Sequence, residues 1–217
     1  MPGLFVFDLD GTLVDSHRDI AGAANALVEE RGGQPLFEAA VVGMVGEGAA
    51  LLVRRALAAA GLDPDAPTAL DRFLEIYAGR LLDHTVLYPG TADMLGQVGA
   101  LAPLAVLTNK PQRHTDAILE GLGLRHHFGR VIGGDTAFGR KPDPAGLLHL
   151  AADAGVAPGE TMMIGDSRVD LLTARAAGTR ICLARYGFGF RFGPQDLRGD
   201  EIVVGSAAEI PAALARR

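Results

Sequence analysis

An unbroken apolar run, Leu4 to Phe7, is followed at once by two acids, Asp8 and Asp10, either side of Leu9, with Gly11 behind them. A run so short, with no polar alternation, predicts a strand buried on both faces, as in a parallel sheet. It places Asp8 at the carboxyl end of that strand, the edge at which open α/β sheets bind ligands. Gly11 lets the backbone turn sharply or approach a ligand closely. Beyond it the period changes. Ile20, Ala23, Ala24, Leu27 and Val28 recur at helical spacing, Ser16 with Asp19 gives an N-cap signal, and Gly32-Gly33 ends the helix. A second helical pattern runs from about Ala49 to Ala60, and a third follows Pro67 through Phe73, Leu74, Ile76, Tyr77 and Leu81. No strand pattern interrupts residues 16–84, which breaks the alternation of an α/β sheet and predicts an inserted helical domain there. The core then comprises residues 1–15 and 85–217, re-entered at Tyr88-Pro89-Gly90.

From that point strands and helices alternate. Strands are predicted at 104–108, 130–134, 161–166, 180–184 and 201–204, with helices near 112–122, from about Asp143, and over 169–177. Ser206 and Glu209 suggest a capping box for a last helix. Such alternation implies right-handed crossovers and a doubly wound, mostly parallel α/β sheet. No repeat and no low-complexity tract is present.

Composition narrows the partners. The chain has 217 residues, enough for one large domain or a domain with an insert, and a formal charge of −6. With no cluster of Lys or Arg, no nucleic acid is expected as partner. The long uncharged run from Met94 to Asn109 is interrupted by Gly96, Gln97, Gly99 and Pro103, so no membrane span is expected. The N-terminus carries no basic n-region, and its apolar run meets Asp8 too early for a secretory signal. The single cysteine, Cys182, excludes an internal disulfide, sits in an apolar strand pattern, and fits a reducing compartment; a cytoplasmic location is expected. The six histidines show no zinc-ligand spacing and are expected in surface or capping roles. Gly43 to Gly48 lacks the strand and crossover of a dinucleotide loop and reads instead as a turn of the helical insert facing a substrate.

Asp8, Thr108 and Asp166 each end a predicted strand, and Lys141 lies in the loop after another. In a parallel sheet these ends share one edge, so separate segments deliver carboxylates, a hydroxyl and an ammonium to one crevice. That set suits phosphoryl transfer, which needs a nucleophile, a proton donor for the leaving oxygen and positive charge against the phosphoryl oxygens. Clustered carboxylates repel, and Mg²⁺ is the natural counter-ion, taking hard oxygen ligands and bridging carboxylate to phosphate.

DLDGT at 8–12, TN at 108–109, KP at 141–142 and GDSRVD at 165–170 resemble, in order, the four motifs of the haloacid dehalogenase-like phosphatases. The helical insert after the first motif resembles that family's C1 cap. DLDGTLVDS, Thr108-Asn109-Lys110-Pro111, VIGGD at 131–135 and Tyr186-Gly187-Phe188-Gly189 are similar to bacterial phosphoglycolate phosphatases in particular. Val169 and Asp143 depart from those relatives, which often have Asn and His there.

The resemblance implies a phosphatase in which Asp8 is the nucleophile and forms an aspartyl-phosphate, while Asp10 is the general acid and then the base. It implies Mg²⁺ on the Asp8 carboxylate, the Asp10 backbone carbonyl and Asp166, with Asp170 as a supporting acid. Gly11, Thr108 and Asn109 would border or hold the phosphoryl group, and Lys141 would neutralise charge on it and on Asp8. The implied partner is a small phosphorylated metabolite, 2-phosphoglycolate first. A sugar phosphomutase, pyrophosphatase or nucleotidase of the same superfamily, or a non-catalytic phosphate-binding module, are the alternatives. Arg54, Arg55 and Lys110 are candidates for holding a substrate carboxylate, since cationic side chains bind it in charge-assisted hydrogen bonds.

Overall fold

The sheet is built around its first strand. In the computed structural model, which describes residues 2–215, β1 (Leu4–Phe7) is paired in parallel on one side with β4 (Leu104–Leu107) and on the other with β6 (Thr161–Gly165). β5 (Arg130–Ile132), β7 (Arg180–Ala184) and β8 (Ile202–Val204) extend the sheet outward, giving the order β5-β4-β1-β6-β7-β8 with every pairing parallel. All four residues of β1 are buried, as its apolar run requires.

The alternation of β1 side chains divides the core in two. Phe5 and Phe7 pack into a cluster with Leu95 of α5 (Thr91–Gly99), Ile118 of α6 (Gln112–Gly121) and Leu214 of α9 (Ile210–Ala215). Leu4 and Val6 point the other way, to Leu147 of α7 (Ala145–Asp153) and Leu171 of α8 (Arg168–Ala177). Helices thus cover both faces of the sheet, the doubly wound arrangement expected.

Between β1 and α5 the chain leaves the sheet. It forms α1 (His17–Glu30), α2 (Glu38–Val42), α3 (Ala49–Ala59) and α4 (Ala69–Ala78), which bury a third apolar cluster of their own, including Leu27, Leu57 and Phe73. We call this inserted helical region the cap. Its two crossing points are stitched by a short antiparallel ribbon, β2 (Val14–Asp15) with β3 (Val86–Leu87).

Several local expectations change. Ser16 precedes α1 but makes no capping bond; its hydroxyl donates to Asp10 Oδ1 at 2.5 Å. Asp19 is buried and accepts bonds from the backbone N–H of His84 and of Thr85 and from the Thr85 hydroxyl, tying α1 to the chain that returns to the core. α5 is an additional helix, and α7 starts at Ala145, after a turn in which Asp143 accepts from the Ala145 N–H. Cys182 is buried and unpaired. His114 is not at the surface but buried, its ring 5.6 Å from that of Tyr77 across the junction of cap and core. Among the described residues, no helix is long and apolar enough to cross a membrane.

Candidate active site

Three strand ends and one loop meet at the edge of the sheet that the sequence predicts. Asp8, Thr108 and Asp166 follow β1, β4 and β6 directly, and Lys141 reaches in from the loop after β5. All four are buried. Lys141 Nζ stands 2.9 Å from Asp8 Oδ1, an ion pair lacking the alignment of a hydrogen bond, and 2.5 Å from Asp170 Oδ1, to which it donates. Asp170 is held on its other oxygen by the N–H and hydroxyl of Ser167, at 3.0 and 2.6 Å, within the capping box that starts α8.

Asp8, Asp166 and Asp170 form a buried acidic cluster, each offering an oxygen within 4.8 Å of the others. Burial raises the Asp8 carboxyl from 3.8 to about 6; Lys141 pulls against that shift, and Asp170 adds to it. Burial also holds Asp166 well above its ordinary value, reinforced by Asp170 and Asp8 and opposed by the Gly189 N–H that donates to it at 2.7 Å. Three buried acids against one ammonium leave a concentration of negative charge. Since Asp170 is spoken for by Lys141 and Ser167, the less engaged oxygens belong to Asp8 and Asp166. That donor set, hard and anionic, fits a divalent cation.

The backbone crowds Asp166. Gly11 has φ +86°, and a Cβ on it would collide with the Asp166 carboxylate. Gly187 is confined in the same way, against the Gly11 carbonyl and the Asp166 side chain. Gly187 and Gly189 from the turn after β7 therefore wrap the carboxylate, which accounts for the glycine pattern at 187–189.

Asp10 sits apart from that cluster. Both its oxygens are 2.8 Å from Lys110 Nζ, which is buried and lies 4.7 Å from the centroid of the Tyr77 ring. Burial pulls the Lys110 ammonium toward neutrality, and Asp10 more than reverses this, so the group stays charged. Asn109 uses its side-chain amide rather than only its backbone, donating at 2.9 Å both to the Gly46 carbonyl in the cap and to the Lys141 carbonyl in the core.

Above these groups the cap closes a cavity of about 60 Å³. Its cap wall includes Ile20, Val45, Leu52, Phe73, Leu74 and Tyr77, and Gly46 and Gly48 of the expected substrate-facing turn border it. Arg54 and Arg55 do not. They lie at the surface, paired with Asp65 and with Glu47, because α3 turns Leu52, Val53, Ala56 and Leu57 inward and leaves these positions outside. The roles of Ser16, Tyr77 and the Asn109 amide were not legible in the local pattern. Each depends on a partner from another element.

A model of haloacid dehalogenase-like hydrolases matches residues 2–178. The chain belongs to that family of hydrolases. It is 45% identical to a phosphoglycolate phosphatase of Rhodospirillum rubrum over 196 residues, covering 87% of this chain and 81% of the relative. The phosphoglycolate phosphatase of Chromobacterium violaceum is 41% identical, with 94% and 92% covered. Among solved structures, one from Haemophilus somnus, described as a predicted phosphoglycolate phosphatase, superposes with a TM-score of 0.90 at 30% identity, covering 98% of this chain and 97% of the other. Over that coverage the Haemophilus somnus structure shares this chain's fold, parallel sheet and inserted helical region together.

Proposed function

We propose that the protein is a Mg²⁺-dependent phosphomonoesterase that hydrolyses 2-phosphoglycolate to glycolate and phosphate. The observation that carries the reading is the buried pairing of Asp8 with Lys141 at the end of the central strand, with Asp10 two residues on and held separately by Lys110 and Ser16. An oxygen of Asp8 attacks phosphorus, the bond to the ester oxygen breaks, and Asp10 gives its proton to the departing alkoxide. Asp10, now a base, takes a proton from water; that water attacks the aspartyl-phosphate, releasing phosphate and restoring Asp8. Thr108 and the Asn109 backbone receive the phosphoryl oxygens, Gly11 lets the chain pass close to them, and Lys141 offsets the charge that develops there.

The acidic cluster supports a metal, with Asp8 and Asp166 as carboxylate ligands, the Asp10 carbonyl as a third, and Asp170 acting through Lys141 and Ser167. When bound, Mg²⁺ supplies positive charge against the phosphoryl oxygens and lets Asp8 remain ionised among its neighbours. Residues 1–15 and 85–217 form the catalytic core in this reading and 16–84 the cap, which shields the reaction from water. The substrate is drawn from the names of the relatives and the small size of the cavity. A cytoplasmic location accords with the unpaired Cys182.

The test is a phosphate-release screen over small phosphomonoesters with and without Mg²⁺, run beside Asp8→Asn. Preferred hydrolysis of 2-phosphoglycolate, dependent on Mg²⁺ and on Asp8, is the expected result. Equal rates across the panel would overturn the specificity, and a requirement for a bisphosphate activator would point to a mutase.

A further inference from the structure

We propose that Lys110 and Tyr77 together form the subsite for a carboxylate on the leaving group, which makes short α-phosphonooxy carboxylates the substrate class of this cavity. The proposal rests on the phosphatase reading above and assigns the specificity that reading leaves unexplained. Of the described side chains that line the cavity, Lys110 alone is cationic. Lys141 is turned to Asp8 and Asp170, and the two cap arginines stand outside in surface ion pairs. A carboxylate entering with its phosphate at Asp8 meets Ile20, Leu52, Phe73 and Leu74 on the cap side, none of which can bind it. Left unpaired against those walls, such an anion would be strongly disfavoured.

Two features fit Lys110 to this task. An ammonium has three donors, and the Asp10 carboxylate, which meets it through both oxygens at 2.8 Å, approaches from one side, which leaves donor capacity on the other side for a ligand. The Tyr77 hydroxyl, on a residue only 3% exposed, is buried beside the same ammonium that its ring packs against, yet makes no aligned hydrogen bond. Buried hydroxyls are ordinarily paired, and an orphan beside a cavity marks a place where a ligand completes the bonding. Distance sets the length of the substrate. Asp10 addresses the ester oxygen, and Lys110 touches Asp10, so the carboxylate must lie near that oxygen, as it does when one carbon separates them. A neutral alcohol leaving group gains nothing from either side chain, and a longer acid carries its charge past Lys110 into the apolar wall.

The experiment compares kcat/KM for 2-phosphoglycolate and for ethyl phosphate, whose leaving groups both need a proton but only one of which bears the anion. Wild type is expected to prefer 2-phosphoglycolate by at least about 100-fold, since a site built around a polar group rejects an analogue lacking it by up to about 10⁴–10⁵-fold. Lys110→Met should collapse that ratio by tenfold or more, because loss of Asp10 support affects both esters and cancels. Tyr77→Phe should raise KM for 2-phosphoglycolate several-fold more than KM for ethyl phosphate; because it removes only one hydroxyl, it serves where Lys110→Met does not fold. Equal loss on both esters in each variant that folds would overturn the subsite and make Lys110 a support for Asp10 alone. Comparable turnover of the two esters by wild type would overturn the subsite while leaving the phosphatase reading standing. Turnover of neither would overturn both.

Discussion

The two walls of the cavity are built on opposite terms. The core wall carries the charge: Asp8, Asp10, Lys110 and Asp166 line it, Lys110 pairs with Asp10, and Lys141 backs it by pairing with Asp8 and Asp170, so each of these paired charges depends on its partner. The cap wall is almost wholly apolar, and its helices pack through a hydrophobic cluster of their own. One wall stores electrostatic tension for chemistry. The other supplies shape and dryness, which strengthen every charge interaction beneath it.

That contrast breaks most sharply at Asp8. Asp8→Asn should lower turnover on the order of 10⁴-fold or more, since the nucleophile is removed without a change of volume, as steady-state phosphate release will show. On the cap side the damage should be of another kind. Leu52→Ala, at a residue 4% exposed that lines the cavity and packs into the cap, is expected to cost about 2–5 kcal/mol in urea unfolding. Its Mg²⁺ dependence should stay within a factor of about two, because no charged group moves.

A pH experiment sharpens the difference. In metal-free protein the folded state raises Asp8 from 3.8 to about 6, so it holds the proton more tightly than the unfolded chain. Asp8 therefore costs stability as pH rises from about 4 to 6, on the order of 3 kcal/mol and fully present above pH 6. Asp166 shifts in the same direction. Urea unfolding in a chelator at pH 4.5 and 7.5 should show this slope, and Asp8→Asn should reduce it, leaving the Asp166 share, and stabilise the protein at neutral pH while abolishing turnover. The smallest effects belong to the cap's outer face. Arg54→Ala and Arg55→Ala, at exposed ion pairs, should each change stability by no more than about 0.5 kcal/mol, with kcat/KM unaltered.

The sheet was legible because its strands are short apolar runs bounded by turn residues, and a run such as Leu4 to Phe7 has few alternatives. The strand-end residues followed from topology alone: a parallel sheet sends Asp8, Thr108 and Asp166 to one edge whatever the details. Two-residue strands such as β2 and β3 carry no periodicity and could not be seen. Ser16 read as a cap because local spacing suggested one, yet a hydroxyl goes where the better acceptor is, and Asp10 is a carboxylate. Lys110 presented the same difficulty at longer range. Its partner lies 100 residues away in sequence, and nothing in the local pattern distinguishes an ammonium bound for a substrate from one already bonded to an acid. The two arginines show the converse error, in which charge type was weighed without the helical face that carries it.

The Asn109 amide gives one hydrogen to Gly46 and the other to Lys141, so a single side chain fastens the Gly46 turn of the cap to the Lys141 loop of the core. The roof and the floor of the cavity are pinned at the same point, and a change at this one amide is felt by both.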